Sequence, residues 1–503
     1  MASELAFQRG TSPDAVYSFK HALVQDAAHG SLLRATRQRL HARIAEALET
    51  QSPELMDTQP ELFAQHYAEA GLVEKSVACW GKAAHRSAAR SAMAEAAAQF
   101  QKGLDQLALL SDTPEQQRQE LELRGSLRAV LFAVRGHAAP ETAHAYARAR
   151  ELWDQLGSPA EFLQIPFAQS LHHVVHGELD LAQRLDADLL LLGRQRNDPA
   201  GLLLGHFSSG RTLLFTGSFT ASQSHLEAGL ALYDPISHGS LVHHTTTYPH
   251  VNSQVILGIN LFCLGFPAQA LAQNEAAIAA ARRLAHPQTL AMTFGVGAVL
   301  LELVGDDAAL DQWVDQLVAV TTEHDIPSWR AHGTIHRGWV RVKNGDVMEG
   351  IFLLRNGMAA CRAAGATLFM PHHIALLAGA CEVARQIEEA VTLLDDGLQI
   401  AGRTRERWLE AELHRHKGRL LLQQGHSDAA EEFYRKALRI AREQEAKLWE
   451  LRAAVSLARL RRDQGRRVEA RKLLAPVYGW FTEGFDTPDL KEAKALLDEL
   501  GGA

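Results

Sequence analysis

Histidine is the residue type whose spacing comes closest to a chemical site. The chain has 25. His332 and His336 stand four apart in a helical pattern. Both imidazoles would then share one face, a geometry that holds a metal when further ligands complete it. No acidic residue or cysteine completes the set, and the plainer reading is a pair of polar groups lining a groove or surface. His172, His173 and His176 form a second group, and His243, His244 and His250 a third. The four cysteines, Cys79, Cys263, Cys361 and Cys381, lie far apart with no CxxC pair, and read as small buried hydrophobes in a reducing compartment. Trp329, Arg330, Arg337 and Trp339 surround one helix. Aromatic and Arg side chains are favoured anchors, so the four are candidates for a concave face or an interface. The competing reading puts both tryptophans in the core between repeats. Residues 459–467, RLRRDQGRR, carry five Arg, suited to an acidic partner or nucleic acid, or simply to a solvated turn. Nucleotide hydrolysis has no support. No GxxxxGK[ST] occurs, and Gly81-Lys82 is followed by Ala83 without the glycine five residues earlier. With no catalytic triad, carboxylate pair, metal set or cofactor motif, the expectation is a binding protein rather than an enzyme.

The elements that would position these residues repeat. Gly177, Gly217, Gly265, Gly305, Gly345, Gly425 and Gly465 each follow one amphipathic helical pattern and precede another. Most intervals are 40 residues. One of 80 hides a beat at Arg385, and one of 48 contains an insertion at 234–250, DPISHGSLVHHTTTYPH. Seven residues before each marker stand Ser170, Gly210, Gly258, Ala298, Gly338, Ala378, Gly418 and Ala458, all small. Five after stand Ala182, Ser222, Ala270, Leu310, Gly350, Ala390, Ala430 and Ala470. Nine after come larger groups such as Leu226, Leu354, Leu394, Tyr434 and Leu474. Two helices crossing closely need small side chains where their backbones approach, and a marker glycine can take the left-handed conformation that ends a helix. On this register Gly338→Leu is expected to disrupt packing and Gly338→Ala to be mild. Ala, Leu, Glu, Gln and Arg dominate, which favours helix, and alternation of the strand kind is nearly absent. A 503-residue repeat array needs no split into ordinary domains.

In the N-terminal half, Tyr67, Gly71, Ser76, Trp80 and Ala83, then Ala96, Phe100 and Gly103, follow the same small–Gly–small–aromatic order. That order resembles the tetratricopeptide repeat (TPR), whose usual period is about 34. Residues 19–33, FKHALVQDAAHGSLL, and 37–50, RQRLHARIAEALET, resemble the end of the winged-helix segment of STAND-class signalling ATPases. YAEAG at 67–71, AYARAREL at 145–152, HLEAGLALYDP at 225–235 and LLAPVYGWFTEGFDTPDLKEAKALLDEL at 473–500 resemble the C-terminal half of bacterial predicted ATPases. Many of those also carry a class III adenylate/guanylate cyclase domain. The resemblance implies that His21 corresponds to a histidine near bound ADP in those relatives; without a nucleotide domain here the role would be vestigial. The Asp that often follows is Ala22, and the usual Tyr after two small residues is His29.

The expected fold is all-α: a right-handed superhelical solenoid of TPR-like hairpins with a short winged-helix remnant. Expected divisions are 1–58 for the remnant and connecting helix, 59–158 for irregular hairpins and 159–503 for the regular array. Expected partners are a protein or peptide, with a nucleotide-binding or cyclase domain among them, or a small effector. No cofactor is expected. The net charge of −8 argues against a nucleic-acid grip over a large face. The N-terminus lacks a signal-peptide core and no stretch of about 18 apolar residues occurs, so a cytoplasmic location away from membranes is expected.

Overall fold

The computed structural model describes residues 6–9, 16–19, 27, 30–90, 92–135, 140–159 and 162–501. It divides into two compact units, residues 1–90 with 95–123 and residues 91–94 with 124–503.

The first unit opens with a hairpin of two short strands, β1 (Ala6–Arg9) and β2 (Val16–Phe19), antiparallel with Ala6 opposite Phe19 and Arg9 opposite Val16. Strands of four residues leave too little periodicity to be read from a sequence. Helices α1 (Arg34–Gln51), α2 (Leu55–Thr58), α3 (Pro60–Ala70), α4 (Val73–Ala89) and α5 (Met93–Leu107) follow. Gly71 ends α3 at φ 77°, and Ser76 Oγ donates to the Ala64 carbonyl at 2.9 Å where α3 and α4 cross. Phe63, Tyr67, Cys79, Trp80 and Ala83 fill the space between them. Helix α6 (Pro114–Arg135) carries the chain across the division.

The second unit is a stack of helical hairpins. After α7 (Pro140–Gln155) come α8 (Gln164–Val175) with α9 (Leu179–Gln195), and α10 (Pro199–Thr216) with α11 (Phe219–Leu232). The insertion forms two single turns, α12 (Pro235–His238) and α13 (Val242–Thr245), joined by a 3-10 turn. The hairpins resume with α14 (Pro249–Leu264) and α15 (Pro267–Leu284), α16 (Pro287–Val304) and α17 (Asp307–Glu323), and α18 (Pro327–Lys343) and α19 (Val347–Ala363). Then come α20 (Met370–Val383) and α21 (Ile387–Thr404), α22 (Glu410–Gln423) and α23 (Ser427–Glu443), α24 (Lys447–Asp463) and α25 (Arg467–Tyr478), and finally α26 (Pro488–Gly501).

The marker column turns each hairpin. Gly177, Gly217, Gly265, Gly305, Gly345, Gly425 and Gly465 have φ from 75° to 98°, and Arg385 takes the same conformation at φ 63° on the missing beat. The three side-chain columns meet where expected. A Cβ on Gly338 would lie 2.8 Å from the Gly350 carbonyl oxygen and 2.8 Å from the Leu354 nitrogen; one on Gly418 would lie 3.2 Å from the Ala430 oxygen and 2.8 Å from the Tyr434 ring. Ser222 Oγ donates to the Gly210 carbonyl at 2.7 Å, binding the crossing with a hydrogen bond.

First helices lie inside and second helices outside. Helices α10, α14, α16 and α20 are buried almost all round, whereas α23 buries one stripe and exposes the rest. Helix α16 is long and apolar enough to cross a membrane, but 83% of it is buried in the stack, the pattern of a central core helix.

The coil closes on itself along its axis. The Val175 carbonyl accepts from the Thr367 and Leu368 N–H groups at 2.8 and 3.2 Å, and the Phe215 carbonyl accepts from Arg407 and Trp408 at 2.8 and 3.1 Å. Both pairings join the C-terminal end of a first helix to the loop nearly five hairpins ahead. These carbonyls belong to the last turn of a helix, where the chain has no partner of its own to offer. Phe215 packs edge-on against Phe369 at 5.0 Å, and Phe262 against Trp449 at 5.7 Å. Glu483 caps the start of α15 by accepting from Ala268 and Gln269 N–H at 3.0 and 3.1 Å. One continuous apolar cluster therefore runs from Leu163 to Leu500.

Candidate functional site

The side chains singled out from sequence are distributed over several packing contacts. Trp329 lies against Gly295 of α16, where an added Cβ would approach its ring to 2.7 Å. Trp339 lies against Gly379 of α20, with the corresponding approach 3.3 Å. Each tryptophan thus bridges two inner helices. Arg330 donates to the Thr321 carbonyl at 3.1 Å and to Asp325 at 2.7 Å, closing the end of α17. Arg337 reaches Asp311 at 3.1 Å and Asp315 on the same helix. The four share α18 but face different neighbours, and they do not converge on one opening. His21 lies outside the described residues, as do the side chains of His243 and His244.

His332 and His336 meet His372 and His373 of α20 and Glu302 of α16. His372 Nε2 is 3.2 Å from Glu302 Oε1, and the His332 and His373 rings are 5.2 Å apart. Burial first, and neighbouring imidazoles second, depress His332 to about 4. His336 is held at about 4 by burial, against the opposing pull of Glu302. Burial likewise drives His373 far below the ordinary range. His332, His336 and His373 are therefore uncharged packing groups near pH 7. Among the described residues no three His, Cys, Asp or Glu side chains are arranged to hold a metal ion.

The five arginines of 459–467 are all engaged within the chain. Arg459 pairs with Glu492, and Arg461 with Glu431 at 3.9 Å. Arg462 pairs with Glu499 at 2.8 Å, Arg466 with Glu469 at 2.6 Å, and Arg467 with the Glu499 carbonyl.

An open site appears on the inner side of the last hairpins. Helices α22, α24 and α26 wall a cleft of about 340 Å³, with Tyr434 of α23 contributing from behind. That volume falls in the range of roughly 300–1,000 Å³ typical of ligand sites. Leu422, Leu451, Val455 and Leu460 supply apolar lining, Arg415, Arg419, Arg452 and Arg459 positive charge, and Asp463, Asp489 and Glu492 negative charge.

The deeper arginines are fixed. Arg415 is bidentate to Glu412, at 2.8 Å through Nε, and reaches Ser456 at 3.3 Å. Arg452 is bidentate to Asp489 at 2.8 and 2.9 Å, donates to the Leu303 carbonyl at 2.6 Å, and stacks over Phe262 and Trp449. Burial alone would raise Glu412, but Arg415 and Arg452 outweigh it and hold the carboxyl at about 2. Glu382 behaves likewise: burial raises it, and His416 and Arg419 bring it down to about 2.

The outer pair differs. Arg419 and Arg459 are nearly half exposed, and their ion pairs, to Glu382 at 2.6 Å and to Glu492, each run through one nitrogen. A guanidinium has five N–H donors in a planar fork, so each can donate to a further carboxylate. The cleft thus combines rigid ionic walls, a greasy floor and two arginines at its mouth. Nothing in it resembles a nucleophile with a base. Sequence reading reached Arg459 within the run 459–467 but not its pairing with Arg419, 40 residues earlier in the same column.

Stacked hairpins with small crossing columns and left-handed turns define a TPR-like helical solenoid, the expected class. No family model matches the chain. An uncharacterised protein of Rhizobium meliloti (strain 1021) is 24% identical over 456 residues, 88% of this chain and 43% of that protein, so the chain spans less than half of that relative's length. Among solved structures, a Rap protein complexed with competence and sporulation factor is similar over 74% of this chain and 99% of its own, with TM-score 0.52 and 14% identity. The Cut9–Hcn1 hetero-tetramer of APC/C aligns over 95% of this chain and 99% of its own, with TM-score 0.42 and 13% identity.

Proposed function

We propose that the chain is a non-catalytic interaction and sensor module that takes a protein segment or peptide bearing a carboxylate in the cleft of α22, α24 and α26. The observation that carries this reading is the pair Arg419 and Arg459 at the mouth of an inner-face cleft whose other charges are already fixed. In this reading Trp329, Arg330, Arg337 and Trp339 serve the stack. The Rap protein, similar in fold, is complexed with a factor, which is consistent with a binding role. The resemblance of residues 19–33 and 37–50 to STAND-class ATPases supports a place as the regulatory part of a signalling ATPase or cyclase, within one polypeptide or completed by a partner chain. Ligand in the cleft would then bias the attached domain through differential affinity for its two states.

The test is a fluorescence-anisotropy screen of labelled decapeptides varied in charge. Peptides with acidic side chains or a free C-terminal carboxylate should bind. The double variant Arg419→Glu, Arg459→Glu should weaken them at least tenfold, about 1.4 kcal/mol. Equal binding to the wild type and the double variant would overturn the assignment, as would preference for amidated cationic peptides.

A further inference from the structure

The outer face of α25 carries a second, differently built surface. Val468, Arg471, Lys472 and Ala475 recur at helical spacing, and with Arg467 and Leu500 they line a groove of about 510 Å³. Val468 is 69% exposed, an apolar side chain left open between cations. Among the described residues no acidic side chain lines this groove.

The inner junctions show what such a face meets. At three successive junctions a second helix meets an opposite charge on the following hairpin. Arg355 of α19 meets Glu389 of α21 at 2.5 Å, and Asp395 of α21 meets Lys417 of α22. Glu431 of α23 meets Arg466 at 3.2 Å. Glu431 and Glu432 stand 40 residues before Arg471 and Lys472, so α25 inverts the charge at the register where α23 was met by arginine. The complement of α25 is therefore acidic. Among the described residues α24 packs against its inner side and α26 beside it, with Leu500 at one edge of the groove, and Val468, Arg471 and Lys472 stay exposed.

We propose that this groove docks an acidic amphipathic helix of a partner protein, laid along α25 as a second helix of a following hairpin would lie. Its apolar stripe covers Val468 and Ala475, and its glutamates face Arg471 and Lys472. Helix-in-groove docking reads i, i+3, i+4 and i+7 anchors, the spacing that 468, 471, 472 and 475 present. The surface is separate from the cleft, which opens on the inner side.

The full chain is titrated with a labelled synthetic helix carrying Leu on one stripe and Glu beside it. Its Lys counterpart and a scrambled sequence of the same composition are titrated in parallel. The Glu helix should bind, weaken as salt rises, and outcompete both controls by at least tenfold. Arg471→Glu with Lys472→Glu should reverse the preference to the Lys helix, and Val468→Asp should weaken both. Arg419→Glu with Arg459→Glu should leave binding unchanged, so failure here and failure of the cleft are distinguishable. Equal binding of the Glu and scrambled helices overturns the proposal, as does an unchanged preference in the charge-reversed variant. Sedimentation showing a wild-type dimer that the charge-reversed variant loses also overturns it, assigning the face to a second copy of the chain.

Discussion

Gly338→Ala tests the helix crossing at its tightest point. The column containing Ala298, Ala378 and Ala458 suggests that alanine is tolerated there. The structure says otherwise, because the Cβ would meet backbone on α19: the Gly350 oxygen and the Leu354 nitrogen, both at 2.8 Å. Neither is the end of a flexible side chain, so the two helices must separate. Overpacking costs about 1–3 kcal/mol. Alanine recovers about 1 kcal/mol of helix propensity over glycine. The net expectation is a loss of about 0–2 kcal/mol. Gly402 of α21 supplies the control: a Cβ there meets nothing within 4 Å, so Gly402→Ala keeps only the propensity gain, up to about 1 kcal/mol. The two alanine variants should therefore differ by about 1–3 kcal/mol, with Gly338→Leu worse than either. Urea unfolding at constant slope measures this directly. If Gly338→Ala proves as stable as Gly402→Ala, the crossing is looser than described and the column argument fails.

Arg385→Gly should stabilise by up to about 1 kcal/mol, since the exposed arginine holds φ 63° where left-handed strain costs roughly 1–2 kcal/mol and glycine returns part of it as chain entropy; an unchanged unfolding midpoint would count against strain there. Stability should fall as pH drops from about 6.5 towards 4, because His332 and His336 are depressed to about 4 and the unfolded chain binds their protons first; a flat thermal-melt profile over that window would refute the depression of these two histidines. Glu406 runs the other way. Burial raises it to about 8, so the folded state holds its proton and stability is lost as pH rises from about 4.5 to 8; Glu406→Gln should gain relative to wild type across that window and show no growing advantage below it. Trp408→Ala should cost about 3–5 kcal/mol. Trp408 is fully buried beside the Phe215 carbonyl, so limited proteolysis should open both 199–232 and 410–443 rather than one hairpin.

The hairpin register was legible because glycine and small residues are dictated by backbone geometry. The second turn of each repeat was not. Asn197, Ala285, Asp325, Arg405 and Glu445 are also left-handed, yet in that column only Gly157 and Gly365 are glycines. Residues with side chains adopt the conformation there because packing on both sides enforces it, and no local signal marks it. The histidine cluster was half legible: His332 and His336 share a face, and His372 stands 40 residues after His332, in its column. The cleft was readable in the same way from Arg419 and Arg459, but charged residues on a helix usually mean solvent, and only their convergence with α26 distinguishes them. The bonds from Val175 and Phe215 to the following turn join backbone atoms, which carry no signature in side-chain type.

Those two carbonyls also bear on how such a chain can change over generations. Open repeat arrays gain and lose whole units easily, since each unit touches only its neighbours. Here Val175 and Phe215 must each find an N–H pair nearly five hairpins downstream. Deleting or duplicating one hairpin between them would rotate every later partner by about a fifth of a turn and leave four amides and two carbonyls unmatched in the interior. Length variation inside the coil is thereby confined to segments that leave the phase intact, as the 234–250 insertion does by folding into its own short turns. Added or lost hairpins are tolerated only outside the span that these bonds tie together.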